Sequence, residues 1–402
     1  MSALNGSTQA SVGLKREFSV NRNEEVTLIT GGAGFIGANL AHRLLSSGRR
    51  VLVFDNLSRA GVEKNLQWLK DTHREGLEIA VGDVRDRAAV ARAVARSCQV
   101  FHFAAQVAVT TSIVDPLADF SINAEGTLNV LEAIRAQPAP PPIVLTSTNK
   151  VYGGIEDVPL KQDAQRYTPI DPEFREYGVS ETRALDFHSP YGCSKGAADQ
   201  YVRDYARTYG LSTVVFRMSC IYGPHQFGTE DQGWVAHFLV RALDGAPITI
   251  YGDGMQVRDI LFVEDLVDAF LLAERNMPRL SGQAFNIGGG PGNVVSLLNL
   301  LDRIEALHGA QPVVEMNAWR TGDQRYYVSD TRRFQKATGW NPRVGVSDGL
   351  ARLYHWLVEA RGLRSLSARR VAVLVDDGNP ESSLESGLSG GLKAAERARG
   401  VV

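Results

Sequence analysis

Two residues four apart, Tyr191 and Lys195 in the run SPYGCSKGAADQYV, could do chemistry together. On a helix that spacing puts both side chains on one face. A phenol titrates near 10 and is a poor base at neutral pH, but a nearby ammonium or other cation favours the phenolate. Such a phenolate can take the proton of an alcohol as hydride leaves the alcohol carbon, which calls for a hydride acceptor. Read without that acceptor, the pair is an ordinary surface pair on a helix.

A site for the acceptor lies upstream. Thr30-Gly31-Gly32-Ala33-Gly34-Phe35-Ile36-Gly37 follows the apolar run VTLIT and opens ANLAHRLLSSG, a helix pattern with a glycine stop. This is the context a dinucleotide fingerprint requires: Gly31 for a tight turn, Gly34 for approach of a pyrophosphate, Gly37 for close packing of helix and strand, and Phe35 and Ile36 at a helix N-terminus that favours anions. Asp55 lies 18 residues past Gly37 (55 − 37), at the end of the next apolar run, where a carboxylate accepts hydrogen bonds from ribose hydroxyls. That favours NAD, while Arg59 nearby leaves NADP open. Asp83 and Val84 follow the third run and face the adenine; Ala104, Ala105 and Gln106 follow the fourth and line the pyrophosphate and nicotinamide ribose.

The elements that must position these residues follow from the alternation of short apolar runs with amphipathic ones. VTLIT, VLVF, EIAV, VFHF, IVLT and TVVF are rich in Val, Ile and Leu, as befits strands buried on both faces, and helix patterns separate them. The expected fold class is α/β, a doubly wound parallel sheet. Proline-rich PAPPP at 138–142 ends the helix before IVLT. Ser189-Pro190 caps and starts the helix that carries Tyr191, and Gly210 stops it. Beyond Gly223 the rhythm loosens, with helices expected near Trp234, Glu264, Ser296 and Asp348.

This divides the chain into a leader at 1–24, a dinucleotide-binding domain at 25–218 with a substrate-side insertion near 168–187, a smaller α/β substrate domain at 219–364 that returns elements to the first, and a disordered tail at 365–402 in which Val371 to Val375 could add a strand. The 402 residues carry 43 basic and 45 acidic side chains, a formal net charge of −2, so no basic face points to nucleic acid or a membrane surface. Three distant cysteines, Cys98, Cys193 and Cys220, form no metal or disulfide spacing. No metal is expected, and a cytoplasmic location follows from this cysteine usage and the lack of a signal or spanning segment.

The glycine motif, the AAQ at 104–106, the strand end TSTNKVYG at 146–153 and the Tyr191/Lys195 helix together resemble the extended short-chain dehydrogenase/reductase family, with its nucleotide-sugar epimerases and dehydratases, over about Val26 to Arg361. The resemblance implies a Rossmann-type sheet and adds Thr148, four positions before Tyr152, as a third catalytic residue that shares the reacting proton with Tyr191. The cofactor set is completed by Asn56, Ser58, Asn123, Thr146, Ser147, Met218 and Cys220. Family dehydratases follow the Thr with Asp-Glu, the acid and base of an elimination; here Asn149 and Lys150 stand instead, which leaves oxidation and reduction without loss of water. Asp265 in FVEDL reads as an acidic first-turn residue.

STNKVYG, the 39 positions from Tyr152 to Tyr191 (191 − 152) with Glu181-Thr182-Arg183 among them, and FRMSCIYGPHQFGTEDQGWVAHF are most similar to the CDP-paratose 2-epimerase branch, also called CDP-tyvelose epimerases. That implies a CDP-sugar substrate and a homodimer or homotetramer. A UDP-sugar 4-epimerase and a cofactor-binding redox sensor are the competing readings. On the substrate side stand Val107, Asn149, Lys150, Ser219, Gln226 and Gln256. Arg258 and Arg320 are placed for the diphosphate, because guanidinium forks match phosphate oxygens; pairing with Asp259 or Asp323 is the alternative for either.

Overall fold

The computed structural model describes residues 25–363 except Thr321, so the leader, the tail and its Val371–Val375 segment lie outside the described residues. Seven strands, β1 (Val26–Thr30), β2 (Arg50–Asp55), β3 (Leu77–Val81), β4 (Ser97–His102), β5 (Ile143–Thr148), β6 (Thr213–Met218) and β7 (Gln283–Ile287), form one parallel sheet in the order β7-β6-β5-β4-β1-β2-β3. The order reverses between β1 and β4, and the crevice at the carboxyl ends of those strands is where such a sheet binds ligands.

Side chains along each strand alternate between two apolar clusters, which is why the runs are apolar throughout. Ile29, Val53, Phe101, Val144 and Phe216 meet the helices Phe35–Ser46, Val62–Thr72 and Val263–Arg275 on one face. Leu28, Leu52, Val100, Leu145 and Val215 meet Arg87–Val94, Gly126–Arg135 and Ser189–Tyr209 on the other.

The smaller α/β portion packs Trp234–Leu243, Leu297–His308 and Val346–Ala360 on the strand Val257–Phe262, around Tyr222, Phe238, Ile260, Phe262 and Leu353. Helices therefore occur near all four of the positions expected from sequence. Strand β7 is the element that sequence does not mark: QAFNI is short, lies after the rhythm has loosened, and returns to the sheet from 283–287 to cover β6. No described helix is long and apolar enough to cross a membrane.

The insertion between the two catalytic motifs forms a hairpin, Leu160–Asp163 with Arg166–Pro169, and a short helix, Pro172–Tyr177. Its 168–187 stretch lines no part of the main cleft. Instead Val179 N–H donates to Val328 O at 2.7 Å, and Glu181 accepts from Asn286 N–H at 2.8 Å. The insertion thus joins the end of β7 to the segment at 326–330.

Candidate active site

A cleft of about 1220 Å³ opens above the strand ends between β1 and β4 and continues beneath the 223–234 loop. All the site residues expected from sequence line it except Asn123. Asn123 sits behind the wall: its Oδ1 accepts from Gln106 N–H at 2.9 Å, and its Nδ2 donates to Gln106 O at 3.1 Å and Ser194 Oγ at 3.0 Å. Because both ends of its amide are used on protein, it braces the Gln106 turn against the Tyr191 helix and offers nothing to a ligand.

The glycine loop differs in detail from the expected division of labour. Gly31 has φ +68, and a Cβ there would lie 2.7 Å from Ala104 N, so the backbone just past β4 bars any side chain. A Cβ on Gly37 would lie 2.3 Å from Gly31 O and 2.6 Å from Gly32 Cα. Gly37 therefore packs on the loop's own turn, and Gly32, 3.0 Å from Val53 Cγ1, makes the close approach to the strands. The Phe35–Ser46 helix has no side-chain cap, leaving its first N–H groups facing the cleft. Those donors and the helix dipole fit the pyrophosphate of NAD.

Asp55, at the end of β2, spends one lone pair per oxygen on the loop: Oδ2 accepts from Ala33 N–H at 3.1 Å and Oδ1 from Leu57 N–H at 2.9 Å. Burial raises its pKa against these backbone donors. The remaining lone pairs suit ribose hydroxyls. Replacing Asp55 by Ala removes both roles, so the purified variant should carry well under one NAD per chain, read by absorbance of the supernatant after denaturation. NADP as the dominant released species in the wild type would overturn this role of Asp55. Asp83 is held below the usual carboxylate range by Arg85, which it binds through both oxygens, and by Asn56.

Tyr191, Lys195 and Thr148 converge at the cleft floor. Thr148 ends β5; its hydroxyl donates to Asn149 Oδ1 at 3.3 Å and lies close enough to the Tyr191 phenol to favour its ionised form. Lys195 Nζ donates to Thr146 O at 2.6 Å. Burial lowers Lys195 to about 8 against Asp199 and Asp119, and burial pushes Tyr191 up to about 12. In this state, then, the phenol is neutral, and burial moves it further from ionising. The fall needed for a base at neutral pH has to come from positive charge brought to the phenol, and Lys195 on the next helical turn is the chain's own supply.

The helix begins at Ser189 with His188, not Ser189, in the capping position; Ser189 Oγ accepts from Gly192 N–H at 3.3 Å within the first turn, at a strained φ of +64. Behind the site, Thr127 donates to Asn123 O at 2.6 Å, so its oxygen accepts from His102 Nε2 at 3.0 Å; His102 Nδ1 then accepts from Thr30 Oγ1 at 2.6 Å. Burial, with Lys195, lowers His102 to about 3, and it is neutral. This chain ties the glycine-loop strand to the wall behind Gln106.

Asn149 does not stand free beside the reacting centre. Its Nδ2 donates to Gln324 Oε1 at 3.0 Å, and Gln324 Nε2 donates to Gly153 O at 2.5 Å. Lys150 Nζ donates to Gly322 O at 3.2 Å. Arg258 pairs with Asp323 at 2.8 Å, whereas Asp259 is buried on Ser219 and Gly290 N–H. Arg320 pairs with Glu230 at 3.1 Å and stacks 3.7 Å from the Tyr251 ring centre. Asp265 accepts from the N–H groups of Arg343 and Val344 and anchors that segment, as a first-turn residue with no place in the cleft.

Three side chains of the site carry no signal in the sequence. Ser112 Oγ accepts from Tyr191 N–H at 3.1 Å, Asp119 lies buried near Lys195 and accepts from Asn123 Nδ2 at 3.2 Å, and Gln324 holds Asn149. The partners of Ser112 and Gln324 are far away in the chain, 79 and 175 positions, and Asp119 lies near a Lys195 that is 76 positions on (195 − 119), so no local pattern marks these roles. Of the buried side-chain atoms without partners among the described residues, Asn65 Oδ1, Thr110 Oγ1, Ser147 Oγ, Gln226 Oε1 and Gln256 Oε1 belong to residues that line the cleft. Such atoms call for hydrogen-bond donors from a polyhydroxylated ligand.

Comparison with known proteins agrees with this geometry. The chain is 46% identical over 338 residues to the CDP-paratose 2-epimerase of Salmonella typhi, covering 82% of this chain and 98% of that one. It is 33% identical over 343 residues to a dTDP-glucose 4,6-dehydratase of Streptomyces antibioticus, covering 83% and 92%. The Thermus thermophilus UDP-glucose 4-epimerase, solved with NAD, superposes with a TM-score of 0.70 at 33% identity, covering 83% of this chain and 99% of that structure. The profile of the NAD dependent epimerase/dehydratase family matches residues 27–288, and with the glycine loop, Asp55 and the Tyr191/Lys195 helix arranged around one cleft, the chain belongs to that family.

Proposed function

We propose that the protein is an NAD-dependent nucleotide-sugar 2-epimerase acting on a CDP-linked hexose or deoxyhexose. The observation that carries this reading is the pairing of a complete Thr148, Tyr191, Lys195 set with an Asn149 already committed to Gln324. The glycine loop and Asp55 would hold NAD, which when bound would supply the hydride chemistry at the sugar carbon. Tyr191 and Thr148 hold the C2 hydroxyl and move its proton; Lys195 holds positive charge beside Tyr191. No acid and base flank Thr148, so water is not eliminated. The 46% identity to an enzyme named for 2-epimerisation of CDP-paratose supports the nucleotide and the carbon. The cytoplasm is the proposed location, and a homodimer or homotetramer the proposed state; exposed Val114, Leu117 and Phe120 on neighbouring short helices would be covered in it.

The test is a panel of CDP-, UDP-, GDP- and dTDP-sugars with products read by NMR. A CDP-sugar deuterated at C2 should give the epimer with its label retained, because the same hydrogen leaves and returns. Washout into ordinary water would indicate enolisation in place of hydride transfer. The likeness to a UDP-glucose 4-epimerase structure favours a second reading, inversion at C4 of a UDP-sugar, which the same panel detects. Net loss of water would refute the reading of Asn149.

A further inference from the structure

A carboxylate lies buried behind the catalytic pair. Asp119, on the helix Pro116–Phe120, is 1% exposed and lines no part of the cleft. Its helix packs on Ser189–Tyr209 and runs on into a π turn, Ser121–Glu125, that carries Asn123. Asn123 Nδ2 donates both to Asp119 Oδ1 at 3.2 Å and to the Oγ of Ser194, the residue before Lys195, at 3.0 Å. One amide thus holds Asp119 against the turn that bears Lys195. Asp119 Oδ2 has no hydrogen-bond partner among the described residues. A carboxylate buried with so little support is costly unless an opposite charge faces it.

Lys195 supplies that charge. Its ammonium has three N–H donors, and among the described residues one of them meets a partner, Thr146 O at 2.6 Å. Asp199 and Asp119 both favour its charged form. Asp199, however, has a cation of its own: its Oδ2 and Oδ1 accept from Arg217 Nε and Nη2 at 2.8 and 2.9 Å, which cancels most of its field. Asp119 is matched by no guanidinium among the described residues. Of the other titratable groups on the elements around it, His102 on β4 is neutral, Glu125 on the π turn acts on Arg85, and the helix Val109–Val114 carries none.

We infer that Asp119 is the counter-ion of Lys195 and sets the pH range over which the Tyr191–Lys195 pair works. It is a positioning residue, outside the cleft, that acts through those two side chains. The inference rests on their proposed roles and not on the identity of the sugar. The pair is competent from the pH at which Tyr191 can release its proton up to the pH at which Lys195 loses its own. A negative charge behind both groups holds both protons more tightly. Burial raises Tyr191 and Asp119 adds to that rise, whereas burial lowers Lys195 and Asp119, with Asp199, opposes the fall. Asp119 therefore moves both limits of the range upward together and leaves its width alone. Because the two groups are close, the limits are those of a coupled titration and belong to the pair.

The test compares the wild type with Asp119→Asn and Asp119→Glu, all as NAD-loaded full chains. Asn keeps an acceptor for Asn123 and removes the charge. The phenolate absorbance of Tyr191, taken as the difference from the same protein carrying Tyr191→Phe, should titrate about one pH unit lower in Asp119→Asn, the low end of what a nearby charge does. Asp119→Glu should recover most of that shift, and NAD content should be the same throughout. With a CDP-sugar as substrate, both limbs of the pH–rate profile should move down by a similar amount. An unmoved phenolate midpoint overturns the inference, and so does a profile that loses height without moving along the pH axis, as a packing role would give. If the midpoint shifts as stated while no CDP-sugar is turned over, the counter-ion holds and the sugar assignment fails; turnover of CDP-sugar with an unmoved midpoint means that the sugar assignment holds and the counter-ion fails.

Discussion

Replacing Tyr191 by Phe should lower turnover by about 10³-fold, within the usual worth of a positioned acid–base group, while NAD stays bound and the fold is unchanged. The ring is 8% exposed, and its backbone N–H on Ser112 Oγ and its helix do not depend on the hydroxyl. Only the proton-carrying atom is lost. Pushed up to about 12 by burial, the phenol is uncharged at neutral pH unless positive charge is brought close. The residual rate should therefore stop depending on the ionisation that the wild type needs. Steady-state rates and NAD content measured on the same preparation check this. Near wild-type turnover would remove Tyr191 from the mechanism.

That Tyr191 is legible at all reflects how local its signals are. A Tyr and a Lys one turn apart, a Ser-Pro start and a Gly stop can be read from consecutive residues, as can the glycine loop between a strand and a helix. What cannot be read depends on partners distant in the chain. Asn149 can be seen not to be an acid, but its bond to Gln324 spans 175 positions. Arg258 and Asp323 are 65 apart, so sequence raises their pairing only as one alternative. Asn123 looks like a cofactor ligand because it falls in the right stretch; only its contacts with Gln106 and Ser194 show that both ends of its amide are occupied. Strand β7 escapes because five residues without alternation or flanking β-rich pattern look like many loops, and its pairing with β6 decides its identity.

The largest stability effect is expected at Asp199, one turn beyond Lys195. Asp199 Oδ2 accepts from Arg217 Nε at 2.8 Å and Oδ1 from Nη2 at 2.9 Å, with side chains 0% and 3% exposed. Arg217 Nη1 also donates to the Tyr152 hydroxyl at 3.1 Å, which donates to Asn286 Oδ1 at 2.8 Å. Against the burial that opposes it, the bidentate bond holds the guanidinium pKa above its ordinary value. Asp199→Ala leaves that charge buried without its anion, and unfolding in urea should show a loss of about 3–5 kcal/mol. The double change Asp199→Ala with Arg217→Met should recover much of it, since a removed pair costs less than a broken one. A loss below about 1 kcal/mol for the single change would mean that water reaches the guanidinium and the pair is structurally minor.

The return of β7 from residues 283–287 also governs the order of events on the ribosome. A nascent chain that has emerged as far as Met218 holds six strands, the glycine loop and Tyr191, yet the outer edge of β6 has no neighbour. That edge presents unpaired backbone groups beside Val214, Val215 and Phe216, side chains that are fully buried in the finished protein, and such edges recruit other chains. The cofactor-binding half of the molecule therefore cannot be completed cotranslationally from its own stretch of message; it waits on about seventy more codons, and chaperone dependence should fall once Ile287 has left the exit tunnel.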